Sequence, residues 1–414
     1  DIFELPSFLD HNNYAEFISY IIKSREIDVL FLSNSYYGYY ILPWLRKNFP
    51  DLAIIDYVHM EEWYWRNGGY ARTTGALGEI TEKTYVCNEQ TRQVLINSFN
   101  RKPESVETLY IGADKAKFDE TKVDAGQVRK LLDISSERPI VLFPCRIHPQ
   151  KRPFLMLAIA KRLKEKLPEI AFVVVGDGPQ LDEMKEKSDQ LGLTNTVYFA
   201  GRQTDMLPFY KDAHITLICS LKEGLALTAY ESLAMGTPVV TSDVGGQAEL
   251  IDSSVGAVLP LMQCEEKDLD SREFPEEEIN QYVNAILNII SDQNRYADLC
   301  KACRKRIDEK FSSDIMIEKL QGIFADLVEN EEKKLKRRQI SSDLNKYPSL
   351  IDDYCTLYCE IMAYEGALNN MSQPQTVIVN QPEMKRELIR IANSKWGRRI
   401  LKVALFLKIN KLFK

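Results

Sequence analysis

Short apolar runs alternate with polar, helix-like stretches along most of the chain, from about residue 14 to residue 310. Residues 27–33 (IDVLFLS), 52–58 (LAIIDYV), 83–87 and 106–110 form a first series of such runs. A run that is apolar at successive rather than alternate positions suits a strand buried on both faces, as in a parallel sheet. After a polar, Lys/Asp-rich interval the alternation restarts at 139–144. It continues through 171–175, 196–200, 214–219, 238–241 and 255–259. Repetition of strand, helix and strand specifies a doubly wound α/β sheet with right-handed crossovers. The pattern therefore predicts two Rossmann-like domains facing a cleft, over 1–115 and 138–310, joined by a linker at 116–137. Past Pro260 it turns helical, at 276–290, 295–310 and 313–328. That predicts a closing helix over 311–330 and a helical, basic C-terminal extension over 331–414, with a loose connection at 371–383.

Composition narrows the class without naming it. With 414 residues, 45% of them hydrophobic and 27% charged, the chain has material for two or three apolar cores. A net charge of −7 disfavours nucleic acid as a partner. The eight cysteines are scattered through apolar segments, which suits reduced thiols and a cytoplasmic protein. Cys300 and Cys303 form a C-x-x-C with no second ligand pair nearby, so a buried helical pair is the expectation. No run reaches the roughly 18 apolar residues of a membrane span. The sequence opens at Asp1 rather than at a methionine. We expect a fragment, with a further domain upstream in the same polypeptide.

Ligands of open α/β sheets bind beyond the carboxyl ends of the strands, so chemistry is expected just after each apolar run. After 139–144 come Arg146 and Lys151, two cations in one strand-to-helix turn. Cations there suit a diphosphate leaving group, whose charge grows as its bond breaks; taken alone, two solvated surface charges are an equal reading. The loop Gly176-Asp177-Gly178 follows 171–175, and its glycines allow close backbone approach. It lacks the third glycine of a dinucleotide fingerprint. Phe199-Ala200-Gly201-Arg202 falls at the same sheet edge. The strongest feature is the segment Ser220-Leu221-Lys222-Glu223-Gly224-Leu225-Ala226-Leu227-Thr228-Ala229-Tyr230-Glu231, with two carboxylates eight positions apart. A helix beginning near Gly224 would turn the amides around Leu225, Leu227 and Thr228 toward a phosphate, and neutral sugar hydroxyls need acceptors such as Glu223 and Glu231. In the first half, His59 ends a strand and leads into Glu61, Glu62, Trp63 and Arg66. That charged, aromatic loop suits a polar, ring-shaped acceptor, with a packing loop as the other reading.

Glu223 and Glu231, followed by Ser232-Leu233-Ala234-Met235-Gly236-Thr237-Pro238, resemble the E-x7-E signature of the family 4 retaining glycosyltransferases of bacterial polysaccharide and surface-glycan assembly. Arg146, Lys151, Gly176, Gly178, Phe199, Gly201 and the pair Gly245-Gly246 fall in that family's order and spacing. Asn88, Glu89 and Gly112-Ala113-Asp114 resemble its cleft elements. The likeness spans about residues 27 to 328, is specific from 140 to 260, and implies the two-domain GT-B fold. It implies Glu223 on the donor-sugar hydroxyls, Glu231 on the ribose, Arg146 and Lys151 on the diphosphate, and the backbone at 199–202 near the base. His59 would stand near the donor sugar. It further implies transfer from a nucleotide sugar to a glycan or lipid-linked acceptor with retention, without a metal or other cofactor. The chain accordingly has no Asp-x-Asp in its cleft loops, no H-E-x-x-H and no clustered histidines.

Two departures keep other readings open. Ala226 replaces a glycine common in the family. Only about four strands precede 116–137, and the family's N-terminal glycine-rich loop is missing, so the first domain is expected to be incomplete, through continuation upstream or through remodelling of this half. A non-catalytic scaffold of the same fold and a sugar-nucleotide epimerase are the alternatives. Residues 384–414 hold ten Lys/Arg against one Glu, around Trp396 and the apolar run 400–407. This tail is expected to lie on an anionic membrane surface, at the inner face of the cell membrane; a helix packed on protein is its alternative.

Overall fold

A computed structural model describes residues 2–63 and 67–371. The chain divides into two compact units. The first comprises the residues up to Tyr85, Gln93–Glu107 and the described residues from Gln321 onward; the second comprises Val86–Arg92 and Thr108–Leu320.

The first unit is built on a four-stranded sheet in the order β1 (Val29–Ser33), β2 (Ala53–Val58), β3 (Lys83–Val86), β4 (Val106–Thr108). β1 and β2 run parallel, with Val29 opposite Ala53 and Ser33 opposite Tyr57. Every position of β2 is buried, as a strand apolar at all but one of its positions requires. The exception in that run is Asp56, whose carboxylate accepts from Tyr39 Oη at 3.0 Å and Thr84 Oγ1 at 2.7 Å. Burial pushes its pKa up, opposed by the Arg101 guanidinium.

Helix Tyr36–Asn48 is mostly buried because helices Glu331–Leu344 and Pro348–Met371 pack against it. The described part of 331–414, expected as a helical, basic extension, is helical and packs within the first unit. A buried ion-pair cluster fixes this packing. Arg46 Nη2 and Arg337 Nε lie 3.0 and 3.1 Å from Glu82 Oε1, and both arginine side chains are almost fully buried. Arg337 also donates to the Asp51 carbonyl at 2.9 Å. Tyr40 stacks on Tyr358 at 4.1 Å between ring centroids.

The second unit holds six strands: β5 (Ile140–Pro144), β6 (Ala171–Val175), β7 (Val197–Gly201), β8 (Ile215–Ile218), β9 (Val239–Ser242) and β10 (Gly256–Leu259). Their spatial order is β7-β6-β5-β8-β9-β10, and every pairing is parallel. The chain winds outward from β5 to one edge, returns to β8 and winds to the other, so the order reverses between β5 and β8. One apolar core lies on each face of the sheet. Residues 116–137, expected as a linker, belong to one of those cores through Phe118, Val128 and Ile134. Asp212 holds the segment by accepting the backbone N–H groups of Gly126, Val128 and Arg129 at 2.5, 2.8 and 3.2 Å. Its charged residues face water, which is why it reads as a linker in one dimension. Helix Ser313–Glu329 starts in the second unit and ends in the first.

Candidate functional site

At the switch point between β5 and β8 lies a cavity of about 310 Å³. Arg146 and Lys151 reach it from the loop after β5, and Glu223, Leu225, Leu227 and Thr228 from the segment after β8. Glu223 is 9% exposed. Its Oε1 receives Ser220 Oγ at 2.6 Å and is in direct contact with Lys151 Nζ. Gln150 Nε2 donates to the Lys222 carbonyl at 2.8 Å and Leu221 N to the Gln150 carbonyl at 2.8 Å, tying the two loops together. The helix expected from Gly224 begins three residues later, as Leu227–Ala234. No side chain caps it, so its first turn presents a positive dipole end to the cavity that Leu227 and Thr228 line. The Gly224 carbonyl instead accepts Gly246 N at 2.7 Å and Asn88 Nδ2 at 3.0 Å. A Cβ on Gly245, at φ +57°, would stand 2.0 Å from the Glu223 carbonyl oxygen, so the glycine pair lets the β9 loop press against the carboxylate's backbone.

Gly176 and Gly178, expected to approach a ligand, approach the chain itself. Their φ values are +137° and +154°, and added Cβ atoms would lie 1.9 Å from the Cys145 carbonyl oxygen and 2.4 Å from that of Ile147. Cys145 N donates to the Val175 carbonyl at 3.0 Å, and Ile147 N to that of Asp177 at 2.7 Å. The two glycines are therefore the seat on which the Arg146 loop rests. The far end of that loop is held by Arg152, a non-glycine residue at φ +51°. Its buried guanidinium donates to the Cys219 carbonyl at 2.6 Å and pairs with the buried Glu278 at 2.6 Å. Nothing in the sequence separates Arg152 from a solvated arginine.

The other expected residues of the second unit do not line the cavity. Glu231 is five residues into the helix and accepts from Tyr210 Oη at 2.7 Å; burial raises its pKa while that bond lowers it. Neither Ser220 nor Tyr210 stood out from the sequence; the polar residue three before Glu223 was the one available signal. Phe199, Gly201 and Arg202 sit on or just past the edge strand β7. Phe199 is half-buried against the core, the Gly201 carbonyl accepts Gly176 N at 2.8 Å, and Arg202 is exposed. Gly112 serves close packing, since a Cβ there would meet the Ser312 backbone at 2.2 Å.

In the first unit His59 follows β2, with Nε2 3.0 Å from Ser33 Oγ at the end of β1. Burial lowers its pKa, which favours the neutral imidazole. Glu61 is buried and Glu62 half-buried, and the Glu62 carbonyl accepts Gly68 N at 3.0 Å. Trp63 stacks on Phe99 at 5.7 Å, so part of this loop is packing. Arg66 lies outside the described residues, as does the basic tail 384–414. Among the described residues no group of His, Cys, Asp and Glu could hold a metal ion, and no helix is long and apolar enough to cross a membrane. All eight cysteines are free thiols.

Residues 125–306 match the family model described as "Glycosyl transferases group 1". An Escherichia coli UDP-Gal:alpha-D-GlcNAc-diphosphoundecaprenol alpha-1,3-galactosyltransferase is 23% identical over 257 residues, 61% of this chain and 62% of that one. A D-inositol 3-phosphate glycosyltransferase of Salinispora tropica is 32% identical over 180 residues, 40% of this chain and 37% of its own. The chain thus spans less than two thirds of the length of these relatives. Among solved structures, a Rickettsia africae glycosyltransferase superposes with a TM-score of 0.62 at 18% identity, covering 77% of this chain and 82% of that one. Anabaena HepE in complex with UDP superposes at 0.61 with 16% identity, covering 75% and 81%. The fold is GT-B, and residues 125–306 are similar to the group 1 glycosyltransferases.

Proposed function

We propose that the chain is a retaining glycosyltransferase that moves a hexosyl group from a nucleoside-diphosphate sugar to a glycan or lipid-linked acceptor in bacterial polysaccharide assembly. The observation that carries the reading is the cavity at the β5/β8 switch point, lined by Arg146, Lys151, Glu223 and the start of an uncapped helix. Fixed cations and a helix dipole stabilise the charge that grows on a departing diphosphate, and they need no reorganisation as it forms. Glu223 would accept hydrogen bonds from the donor sugar, and Glu231 from the ribose. The segment around Phe199, Gly201 and Arg202 would meet the base. His59 would act near the donor sugar, and Glu61, Glu62, Trp63 and Arg66 on the acceptor side.

In this scheme the leaving diphosphate helps deprotonate the attacking hydroxyl, and no divalent metal is required. The reaction would take place at the inner face of the cell membrane, with the tail 384–414 on anionic lipid. The test is incubation of the protein with UDP-, GDP- and ADP-sugars and a glycan acceptor, following nucleoside diphosphate release and the product anomer by NMR. Release with retention that survives a chelator is expected. An inverted product refutes retention, and loss restored by magnesium or manganese refutes the metal-free scheme. Glu223→Gln should lower turnover at least tenfold, about 1.4 kcal/mol of barrier, and unchanged turnover would remove Glu223 from the site.

A further inference from the structure

The Lys151 ammonium and the Glu223 carboxylate are in contact across the cavity, their side chains 23% and 10% exposed. Under the donor-site reading, on which this inference rests, they have different tasks: the cation meets the diphosphate and the carboxylate meets the sugar. We propose that the pair is a coupling device, in which a diphosphate competes with Glu223 for Lys151 and so makes Glu223 available to the sugar. The arrangement favours this. Glu223 Oε1 is anchored independently of Lys151 by Ser220 Oγ at 2.6 Å, so the carboxylate keeps its place when the ammonium turns away. Lys151 carries a compact point charge on a flexible four-carbon stem, so it can turn from one anion to another within one small cavity without a fixed bidentate geometry to break. Arg146 and the helix dipole remain to hold the phosphate throughout.

Two consequences follow from linkage. Glu223 is a brake on diphosphate binding, because the ion pair must be broken before Lys151 can serve the phosphate. The same pair makes sugar and diphosphate bind with positive cooperativity, which favours the intact donor over its fragments.

The test is a double-mutant cycle read by calorimetry with UDP, GDP and ADP, using the tightest binder, on the full chain. Glu223→Gln should bind the nucleoside diphosphate more tightly than the wild type, by about fivefold for a partly exposed pair. In a Lys151→Met background the same substitution should give no gain. A gain that persists without Lys151 reflects only the loss of a negative charge and overturns the coupling, as does no gain in either background. Lys151→Gln replaces the methionine variant if its far-UV spectrum or melting curve shows misfolding. If neither lysine variant folds, Asp243→Asn decides, since it removes an exposed carboxylate just past β9 that has no assigned donor contact: a gain equal to that of Glu223→Gln refutes the device, and no gain supports it. Absence of binding by any variant, wild type included, defeats the donor-site reading and the inference with it.

Discussion

At Glu223 one carboxylate oxygen receives both a hydroxyl and an ammonium, which fixes the rotation of the group as well as its position. Ser220 is the part of that arrangement that carries no charge, so its loss separates orientation from electrostatics. Ser220→Ala should leave the melting temperature within a few degrees and reduce turnover roughly tenfold to a hundredfold, the value of one hydrogen bond to a charged group. Steady-state kinetics alongside a melting curve checks it. His214 is a structural titrating group. Its Nδ1 accepts Ile140 N at 3.2 Å and its ring stacks on Tyr296. Burial, helped by Arg129, lowers its pKa to about 4. The unfolded chain therefore takes up a proton before the folded one, and stability is full above the unfolded value near 6.5 and declines as pH falls toward 4. The full contribution is on the order of 3 kcal/mol, of which about 2 is lost by pH 5. Urea midpoints at pH 7.5 and 5 should fall further for the wild type than for His214→Asn, and equal slopes would contradict the assignment.

Two elements matter beyond their own residues. The β6 loop supports the β5 loop through glycines whose missing Cβ atoms are occupied by carbonyl oxygens. Gly176→Ala would add a backbone collision to a left-handed φ, and a loss of roughly 1–3 kcal/mol of stability is expected. Because the displaced element is the Arg146 loop, diphosphate affinity should fall with it; calorimetry and chemical denaturation read the two effects. In the first unit the helices Glu331–Leu344 and Pro348–Met371 cover Tyr36–Asn48 and deliver Arg337 to Glu82. Arg337→Ala leaves Glu82 with Arg46 as its remaining buried cation and opens a void. A loss of about 3 kcal/mol in guanidinium denaturation is expected, against less than about 0.5 kcal/mol for a solvent-facing substitution such as Lys336→Ala.

For the whole molecule, the proposed membrane docking rests on charge alone. The tail 384–414 carries a charge of +9 against −7 for the chain, and each basic residue near an anionic leaflet contributes on the order of 1 kcal/mol. Co-sedimentation with vesicles containing phosphatidylglycerol should retain the intact chain at low salt, lose it at high salt, and fail for a chain ending at Glu383. Equal behaviour of the two chains would place the attraction elsewhere.

Two parallel sheets and the order of motifs were legible in the sequence because both rest on local chemistry. A strand buried on both faces must be apolar at successive positions, and a strand-end loop that meets an anion must carry cations or glycines at short spacing. Arg146 and Lys151 could be picked out on those grounds and Glu223 by its spacing from Glu231, although 72 residues separate Lys151 from Glu223. Their meeting is set by the sheet order β7-β6-β5-β8-β9-β10, which puts the ends of β5 and β8 side by side. The glycines at 176 and 178 had a visible conformational demand and an invisible cause, since the atoms that exclude a Cβ belong to a loop 31 residues earlier. Residues 116–137 read as a linker because short-range polarity hides three apolar anchors whose partners lie far along the chain. Arg152, Tyr210, Asp56 and Arg337 were beyond reach for the same reason. Hydropathy assigns a charged or hydroxylated residue to the surface, and only tertiary structure supplies the buried partner that makes another location affordable. Periodicity thus determined the elements and the side of the sheet where chemistry would fall, while packing decided which polar residues act together.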